Sequence, residues 1–330
     1  MASRADDLID RRHLRRKLTF WRIAAILFVA IGILGVSAWL YRADVGGSSV
    51  NHIAKVKIEG TILDDQDLLD RLKDIRESSS VKGVIVAINS PGGTTAGGEA
   101  IFDAVRELAG EKPVVAQVGT LAASAGYMIA SATDHIVARQ SSIVGSIGVL
   151  VQFPNFTGLM EKVGITLDEI KSSPLKAEPS PFNPTTDEER AMIRSLIMDS
   201  YEWFVGLIVD RRGMSRAEVL ALADGSIFTG RQALANKLID ELGGEKEAVA
   251  WLEGKGVAKD LKVVEWKPKE KGAYSMFFGS SLLNAVAERL GFPGQGADLL
   301  KGLGADRIFL DGLVSVWQPL GSSSGRLKSE

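Results

Sequence analysis

A serine and a lysine define the chemistry this chain could perform. Ser124 lies in the small-residue run Leu121-Ala-Ala-Ser-Ala-Gly126, and Lys176 lies in Ser172-Ser-Pro-Leu-Lys-Ala177. A serine hydroxyl is a poor nucleophile until a base takes its proton. The chain has only three histidines: His13 in a basic N-terminal stretch, His52 beside a linker-like segment, and His135 inside a β-rich run. It has no cysteine. His135 alone suits a Ser/His arrangement, and its setting reads as structural, so a lysine base is the economical assignment. Lys176 can serve if its pKa falls by several units from ~10.4, which apolar surroundings achieve by penalising the ammonium form. Its neighbours Pro174, Leu175 and Ala177 permit such surroundings. A neutral amine has no tautomer to fix, so no carboxylate partner is required.

Acyl transfer also needs donors aimed at the developing oxyanion. Ser124 falls between an apolar strand and a helix start, where unpaired N–H groups and positive potential converge, and the Ala125 N–H is the natural donor. Gly92-Gly93, just after a strand end, can turn a second N–H to the same point because glycine tolerates unusual φ, and Gly93 is the choice. Taken singly these signals are not specific. A serine among Ala and Gly usually caps or packs, and a lysine beside Pro and Ser is usually a solvated loop charge. Ser131, Ser141, Ser142 and Ser146 stay open as alternative hydroxyls, and Lys162 and Lys171 as alternative bases.

The elements that must position these groups alternate between strand and helix. Ala54 to Ile58 is strand-like, Asp65 to Ile75 carries Leu68, Leu69, Leu72 and Ile75 at helical spacing, and Gly83 to Ile88 is a continuous apolar run. Such a run predicts a strand buried on both faces. A turn over Asn89 to Thr94, a helix from Gly97 to Leu108, a strand from Pro113 to Val118 and a helical stretch through Ala132 follow. Further strands are expected at His135 to Ala138, Ser146 to Gln152 and Ile165 to Ile170, with a helix around Asn155 to Lys162. Beyond Lys176 a long helix is predicted from the capping sequence at Thr185 and Thr186 to about Arg211, closed by Gly213, and a shorter one from Thr229 to the Gly243-Gly244 stop. Repeated β-α units point to an α/β domain with a largely parallel sheet.

The whole chain sets outer bounds. At 330 residues and 45% hydrophobic content it can bury a sizeable core. With 39 basic against 41 acidic side chains, a net of −2, it lacks the basic field that nucleic acid would require. Zero cysteines exclude disulfides and Cys-containing zinc sites, and three scattered histidines argue against a His-based metal site, so no metal and no cofactor are expected. Residues 23–40 form an uncharged run of 18, roughly 27 Å as a helix and enough to cross a hydrocarbon core. Seven Lys and Arg precede it, from Arg4 to Arg22, whereas only Arg42 follows before Lys55, which sets the N-terminus in the cytoplasm. A cleaved signal peptide is the alternative, but an apolar core of 18 exceeds the ~7 to 15 residues usual there. The expected organisation is a basic N-terminus (1–22), an anchor (23–41), a linker (42–52), a catalytic domain on the far side of the membrane (53–267) and a C-terminal extension of unassigned role (268–330).

Several motifs in order carry a family resemblance: Ile88-Asn-Ser-Pro-Gly-Gly-Thr94, Ala123-Ser-Ala-Gly-Tyr-Met-Ile-Ala130, Gly145-Ser-Ile-Gly-Val149, Lys171-Ser-Ser-Pro-Leu-Lys176 and Phe228-Thr-Gly-Arg-Gln-Ala233. With the N-terminal anchor, they resemble the short, single-repeat bacterial signal peptide peptidases of the SppA type over residues 50–250. The resemblance implies a crotonase/Clp-protease-like α/β fold and a Ser/Lys dyad that hydrolyses cleaved signal peptides and other apolar peptides. It further implies Ser124 as nucleophile, Lys176 as general base, Gly93 and Ala125 as oxyanion donors and Ser146 as a supporting residue. It also implies a homo-oligomeric ring, tetramer to octamer, at the inner membrane, in which serine and lysine can come from adjacent protomers. The single-pass chain would have its catalytic domain periplasmic or extracytoplasmic. Competing readings are a related Ser/Lys peptidase of stomatin-like membrane proteins, a crotonase-like acyl-CoA enzyme and a non-catalytic ring-forming scaffold.

Overall fold

The computed structural model describes residues 50–268, Val314–Val316 and six positions between Trp21 and Gly32. The chain forms two units, Met1–Val50 and Asn51–Glu330. In the first, Trp21, Ala25, Leu27, Phe28, Ile31 and Gly32 are helical. No helix among the described residues is long and apolar enough to cross a membrane, and most of the expected anchor lies outside them.

The second unit is built on a mixed sheet. Strand β1 (His52–Ile62) pairs in parallel with β2 (Val81–Thr94), and β2 pairs in parallel with β3 (Val114–Ala123). The far edge of β3 takes β4 (His135–Ala138) along its first half and β5 (Ile143–Gly145) along its second, both parallel. Antiparallel β6 (Ile227–Thr229) extends β5, β7 (Glu241–Leu242) extends β4, and β8 (Val263–Glu265) flanks β1. A last strand, β9 (Val314–Val316), runs antiparallel to the end of β2.

Period-two alternation explains the two faces. Ile53, Ile85, Val115 and Val137 turn to one side, where Ala248 and Leu252 of α8 (Glu245–Gly254) cover them. Gly83 lets this helix sit close, since a Cβ there would come within 3.1 Å of Leu252 and Val257. Val84, Val86, Ile88, Ala116 and Val118 turn to the other side and the larger core. That core is closed by α1 (Gln66–Glu77), α2 (Thr95–Ala109) and α3 (Ala125–Ala132). Asp65 caps α1 by accepting from the Leu68 N–H, and Leu68, Leu72 and Ile75 are its buried stripe.

The segment after β5 differs from expectation. Neither Ser146 to Gln152 nor Ile165 to Ile170 forms a strand, and the helix α4 (Thr157–Val163) buries no residue. Only Leu150 makes an isolated bridge, and a run without a continuous ladder is not held as a strand. The long helix α5 (Asp187–Arg212) matches its capping sequence: Thr186 and Glu189 form a reciprocal capping box and Gly213 closes the helix at φ 59°. Its C-terminal half buries Phe204, Val205 and Ile208, about 1.5–3 kcal/mol each, while Leu196 and Met198 earlier in the helix are exposed. After a short α6 (Arg216–Leu220), Thr229 caps α7 (Gly230–Ala235). That helix ends at Asn236 rather than at Gly243-Gly244, and Gly244 instead precedes α8.

Candidate active site

Ser124 is the single residue between β3 and α3. Its backbone is held at φ 56°, ψ −121°, a region that disfavours any residue with a Cβ, and it is 1% exposed. Two bonds hold that conformation. The Ser124 N–H donates to the Gly145 carbonyl at 2.8 Å, continuing the Ala123–Gly145 register, and its own carbonyl accepts the Met128 N–H at 2.9 Å. The hydroxyl does not cap the helix. All eight residues of α3 are buried, so the first turn, with Ala125 at its head, sits inside the protein with its N–H groups directed toward the serine.

Small residues are required here because strand and helix nearly touch. A Cβ on Gly126 would come 3.0 Å from the Ser90 carbonyl, and one on Gly98 would come 3.0 Å from the Ala125 methyl. The expected turn at Asn89 to Thr94 is instead the last stretch of β2, which keeps pairing with β1 as far as Ile62 opposite Gly93. At Gly93 an added Cβ would lie 1.8 Å from the Ile62 carbonyl oxygen, so no other residue fits. Sequence reasoning assigned Ser90 no role. Its buried hydroxyl donates to the Gly60 carbonyl at 2.6 Å and accepts the Gly92 N–H at 3.1 Å, which braces the backbone leading into Gly93. Position in a strand-end Ser-Pro-Gly-Gly sequence was the available signal.

Ser146 follows Gly145 at φ 53° and is 9% exposed, its N–H donating to the Ser226 carbonyl at 2.7 Å. Ser124, Ala125 and Ser146 thus gather at neighbouring strand ends, with Gly93 ending the strand beyond. Two of the alternative serines are engaged elsewhere: Ser131 donates to the Met128 carbonyl at 2.6 Å within α3, and Ser142 donates to the Gly119 carbonyl at 2.6 Å.

His135 stands opposite Val115 at the other end of β3. At ~3.3 Å per residue the strand separates it from Ser124 by roughly 30 Å along its length, which removes it as a base within this chain. It stacks on Trp251 with ring centroids 5.0 Å apart and lies 3.2 Å from a Glu241 carboxylate oxygen, a structural role. His52 accepts a hydrogen bond at 3.0 Å from the Trp266 indole and stacks on that ring. His13 lies outside the described residues.

The Clp protease family model matches residues 55–144, which gives the sheet and α3 a Clp-protease-like α/β fold. The model of peptidase family S49 matches residues 106–259. Among curated proteins, one from Methanocaldococcus jannaschii named as a protease is 38% identical over 67% of this chain and 72% of its own length. One from Enterococcus faecium carrying the name signal peptide peptidase SppA is 33% identical over 84% of this chain and 80% of its own length. Protease 4 of Haemophilus influenzae is 35% identical over 60% of this chain but only 34% of its own length. The chain belongs to peptidase family S49. It is a serine-type peptidase, and the Ser124 elbow lies inside the span that the S49 model matches.

In this S49 chain the lysine segment is built differently from the serine. Lys176 is exposed on a turn between α4 and α5, its N–H donating to the Ser173 carbonyl at 3.1 Å, with Ala177 at φ 63° behind it. The turn is tied at its base. Lys171 pairs with Glu169 and Glu178, and the Glu178 carboxylate, whose side chain is 5% exposed, also accepts the Ser180 N–H at 2.6 Å. The two carboxylates hold the Lys171 ammonium above its usual range, and Lys171 in turn holds the Glu178 carboxyl below its own. A lysine whose proton is so held is a poor general base, which argues against Lys171 in that role. The apolar cover expected around Lys176 is not supplied by the described residues, which leave its side chain exposed. Around the turn, Leu159, Val163, Ile165 and Ile170 expose their side chains, as do Phe153 and Phe182.

Proposed function

We propose that this peptidase is a membrane-anchored endopeptidase that uses Ser124 and Lys176 to hydrolyse cleaved signal peptides and other apolar peptides. The observation that carries the reading is the Ser124 elbow: a buried serine at positive φ, heading a buried helix, beside the Gly93 strand end. Strain of this kind persists where the surroundings over-determine it and is characteristic of nucleophile turns.

The chemistry follows from the groups in place. Lys176 as a neutral amine takes the Ser124 proton, and Oγ adds to the peptide carbonyl carbon. The oxyanion accepts from the Ala125 and Gly93 N–H groups, each donor worth about 10²–10³ in rate where such donors have been removed. The ammonium returns its proton to the leaving amine, which departs and leaves an acyl ester on Ser124. A water, deprotonated by the same lysine, then releases the acid and restores the hydroxyl. Ser146, fixed beside Ser124 through Gly145, supports the lysine.

An exposed amine is too basic for this work, so the reading requires the amine to be covered on assembly. The exposed apolar side chains around the Lys176 turn, with Leu196 and Met198 on α5, form the sort of surface that monomers rarely leave open. A ring of copies, tetramer to octamer, would bury it and bring Lys176 of one copy to Ser124 of the next. The uncharged run at 23–40 supplies the anchor to the inner membrane, with the catalytic domain outside the cytoplasm. A fluorophosphonate probe on the full chain in detergent tests the site. Labelling at Ser124 that vanishes in Ser124→Ala and weakens in Lys176→Ala is the expected result, and labelling elsewhere would reject it.

A further inference from the structure

Helix α3 is left open at one end and tied at the other. At its head the Ser124 side chain puts no cap on the first turn, which leaves the N–H groups there to the reaction. At its tail, inside the protein, carbonyls that lack a partner within the helix are taken up from outside. The Ala130 carbonyl accepts the Thr133 hydroxyl at 2.8 Å, a local closure. The carbonyls after it accept from guanidiniums on two other helices: Ser131 from Arg211 Nε at 2.9 Å, Ala132 from Arg106 Nη1 at 2.7 Å and Thr133 from Arg211 Nη2 at 3.0 Å. Arg106 lies in the last turn of α2 and Arg211 in the last turn of α5. Its neighbour Arg212 forks onto Asp240 at 2.7 and 3.1 Å and donates to the Lys237 carbonyl at 2.9 Å. That steadies the segment whose Leu238 carbonyl accepts the Tyr127 hydroxyl of α3 at 2.8 Å.

An oxyanion donor cannot be secured by a helix cap, because the cap would consume the N–H that the reaction needs. The helix that carries Ala125 has to be located from its far end instead. Cations suit that end: they complement the negative pole of the helix dipole and leave its positive pole toward Ser124. Gathering them there is not favourable in itself. Burial lowers the Arg211 pKa, and the Arg106 charge lowers it further. We propose that Arg211, together with Arg106, is a positioning residue for the peptidase reaction, holding α3 so that the Ala125 N–H meets the oxyanion, a reading that rests on the placement of the site at Ser124. The eight residues of α3 set the guanidiniums roughly 12 Å from the serine, too far to touch the reacting atoms. Distance does not make the effect small, since a shift of about 1 Å in a catalytic group can cost on the order of a hundredfold in rate. Helix α5 also opens at Thr186, shortly beyond the Lys176 turn, so one helix leads from the segment of the proposed base to the end of the helix of the proposed donor.

The full-length protein in detergent, shown folded by far-UV circular dichroism, offers two readouts that a loss of stability alone does not move. One is the split of kcat from KM on an apolar reporter peptide, since removing an interaction made only in the transition state lowers kcat and leaves KM. The other is the rate at which a fluorophosphonate labels Ser124, because its phosphoryl oxygen takes the place of the oxyanion. Arg211→Met fills the space without donors. It is expected to lower kcat at least tenfold with KM within twofold, and to slow labelling by a similar factor. Arg211→Lys keeps the charge but not the fixed fork that reaches two carbonyls, so it should recover part of both losses. Where Arg211→Met does not fold, Arg211→Lys and Arg106→Lys carry the test, each expected to lower kcat at least threefold with labelling slowed in step. Changes of less than threefold in kcat and labelling rate, with only the urea midpoint lowered, overturn the proposal, as does a loss confined to KM. Failure of the Ser124 assignment reads separately, as labelling of the parent protein at another residue.

Discussion

The backbone of Ser124 hangs on that of Gly145, its N–H donating to the Gly145 carbonyl at 2.8 Å while Gly145 itself sits at φ +105°. A Cβ on Gly145 would meet the Phe228 ring at 2.9 Å, so the carbonyl that orients the proposed nucleophile depends on a position that only glycine can fill. Nucleophile geometry is thus set from β5 and β6 as much as from β3. Gly145→Ala should reduce kcat at least tenfold with little change in KM, measured on an apolar reporter peptide alongside far-UV circular dichroism to establish folding.

Ser90 holds the other side of the site. Ser90→Ala leaves the Gly60 carbonyl and the Gly92 N–H without their buried partner, at about 1–3 kcal/mol of stability. Denaturant melts should show that loss, and Ser90→Thr, which keeps the hydroxyl, should recover part of it. Activity should fall with Ser90→Ala because Gly93 loses its brace.

His135→Ala offers the contrasting case. Loss of the Trp251 stack and the Glu241 contact should lower stability by about 1 kcal/mol, read from urea midpoints, while kcat on the reporter peptide stays within twofold. A drop in kcat as deep as that of Ser124→Ala would restore the imidazole as base.

The tie at the base of the Lys176 turn carries a pH dependence whose sign follows from its two partners. Glu178 has its folded pKa lowered from 4.5, chiefly by Lys171, so its contribution is complete above the unfolded value and is lost as pH falls through the folded one. Lys171 has its pKa raised from 10.5, chiefly by Glu169 and then Glu178, so its contribution is complete below that value and is lost as pH rises through the folded one. The protection factors of amides 171–180, obtained by exchange mass spectrometry after correction for the intrinsic pH dependence of exchange, should therefore hold between about pH 5 and 10 and fall on either side. Glu178→Gln should remove the acid limb of that profile.

How far the sequence revealed this molecule depended on whether a signal was local. Caps at Thr186 and Thr229, the amphipathic stretch from Asp65 to Ile75, the buried run at Gly83 to Ile88 and the small residues around Ser124 are decided by neighbours along the chain, and each stands where expected. What was misread depends on residues far away. The Asn89 to Thr94 stretch looks like a turn by composition, yet it stays extended because β1 and β9 flank it. Ser146 to Gln152 has strand composition but makes only an isolated bridge at Leu150, and the Lys171 to Glu178 tie has no periodic signature at all. Exposure of Lys176 was equally illegible, since Pro, Leu and Ala beside a lysine permit burial without supplying a surface to be buried against.

The stack of His52 on Trp266 has a mechanical consequence. It brings the first strand and the last residues before the tail to one corner, so the polypeptide joins and leaves the body of the sheet at a shared doorstep. Tension applied through residue 50 is borne by β1, whose rungs against β2 run all the way to Ile62 opposite Gly93 and load in shear rather than peeling one by one. A tug at that corner is therefore passed along β1, through its irregularity at Gly60, to the Ile62 carbonyl beside the glycine proposed as an oxyanion donor.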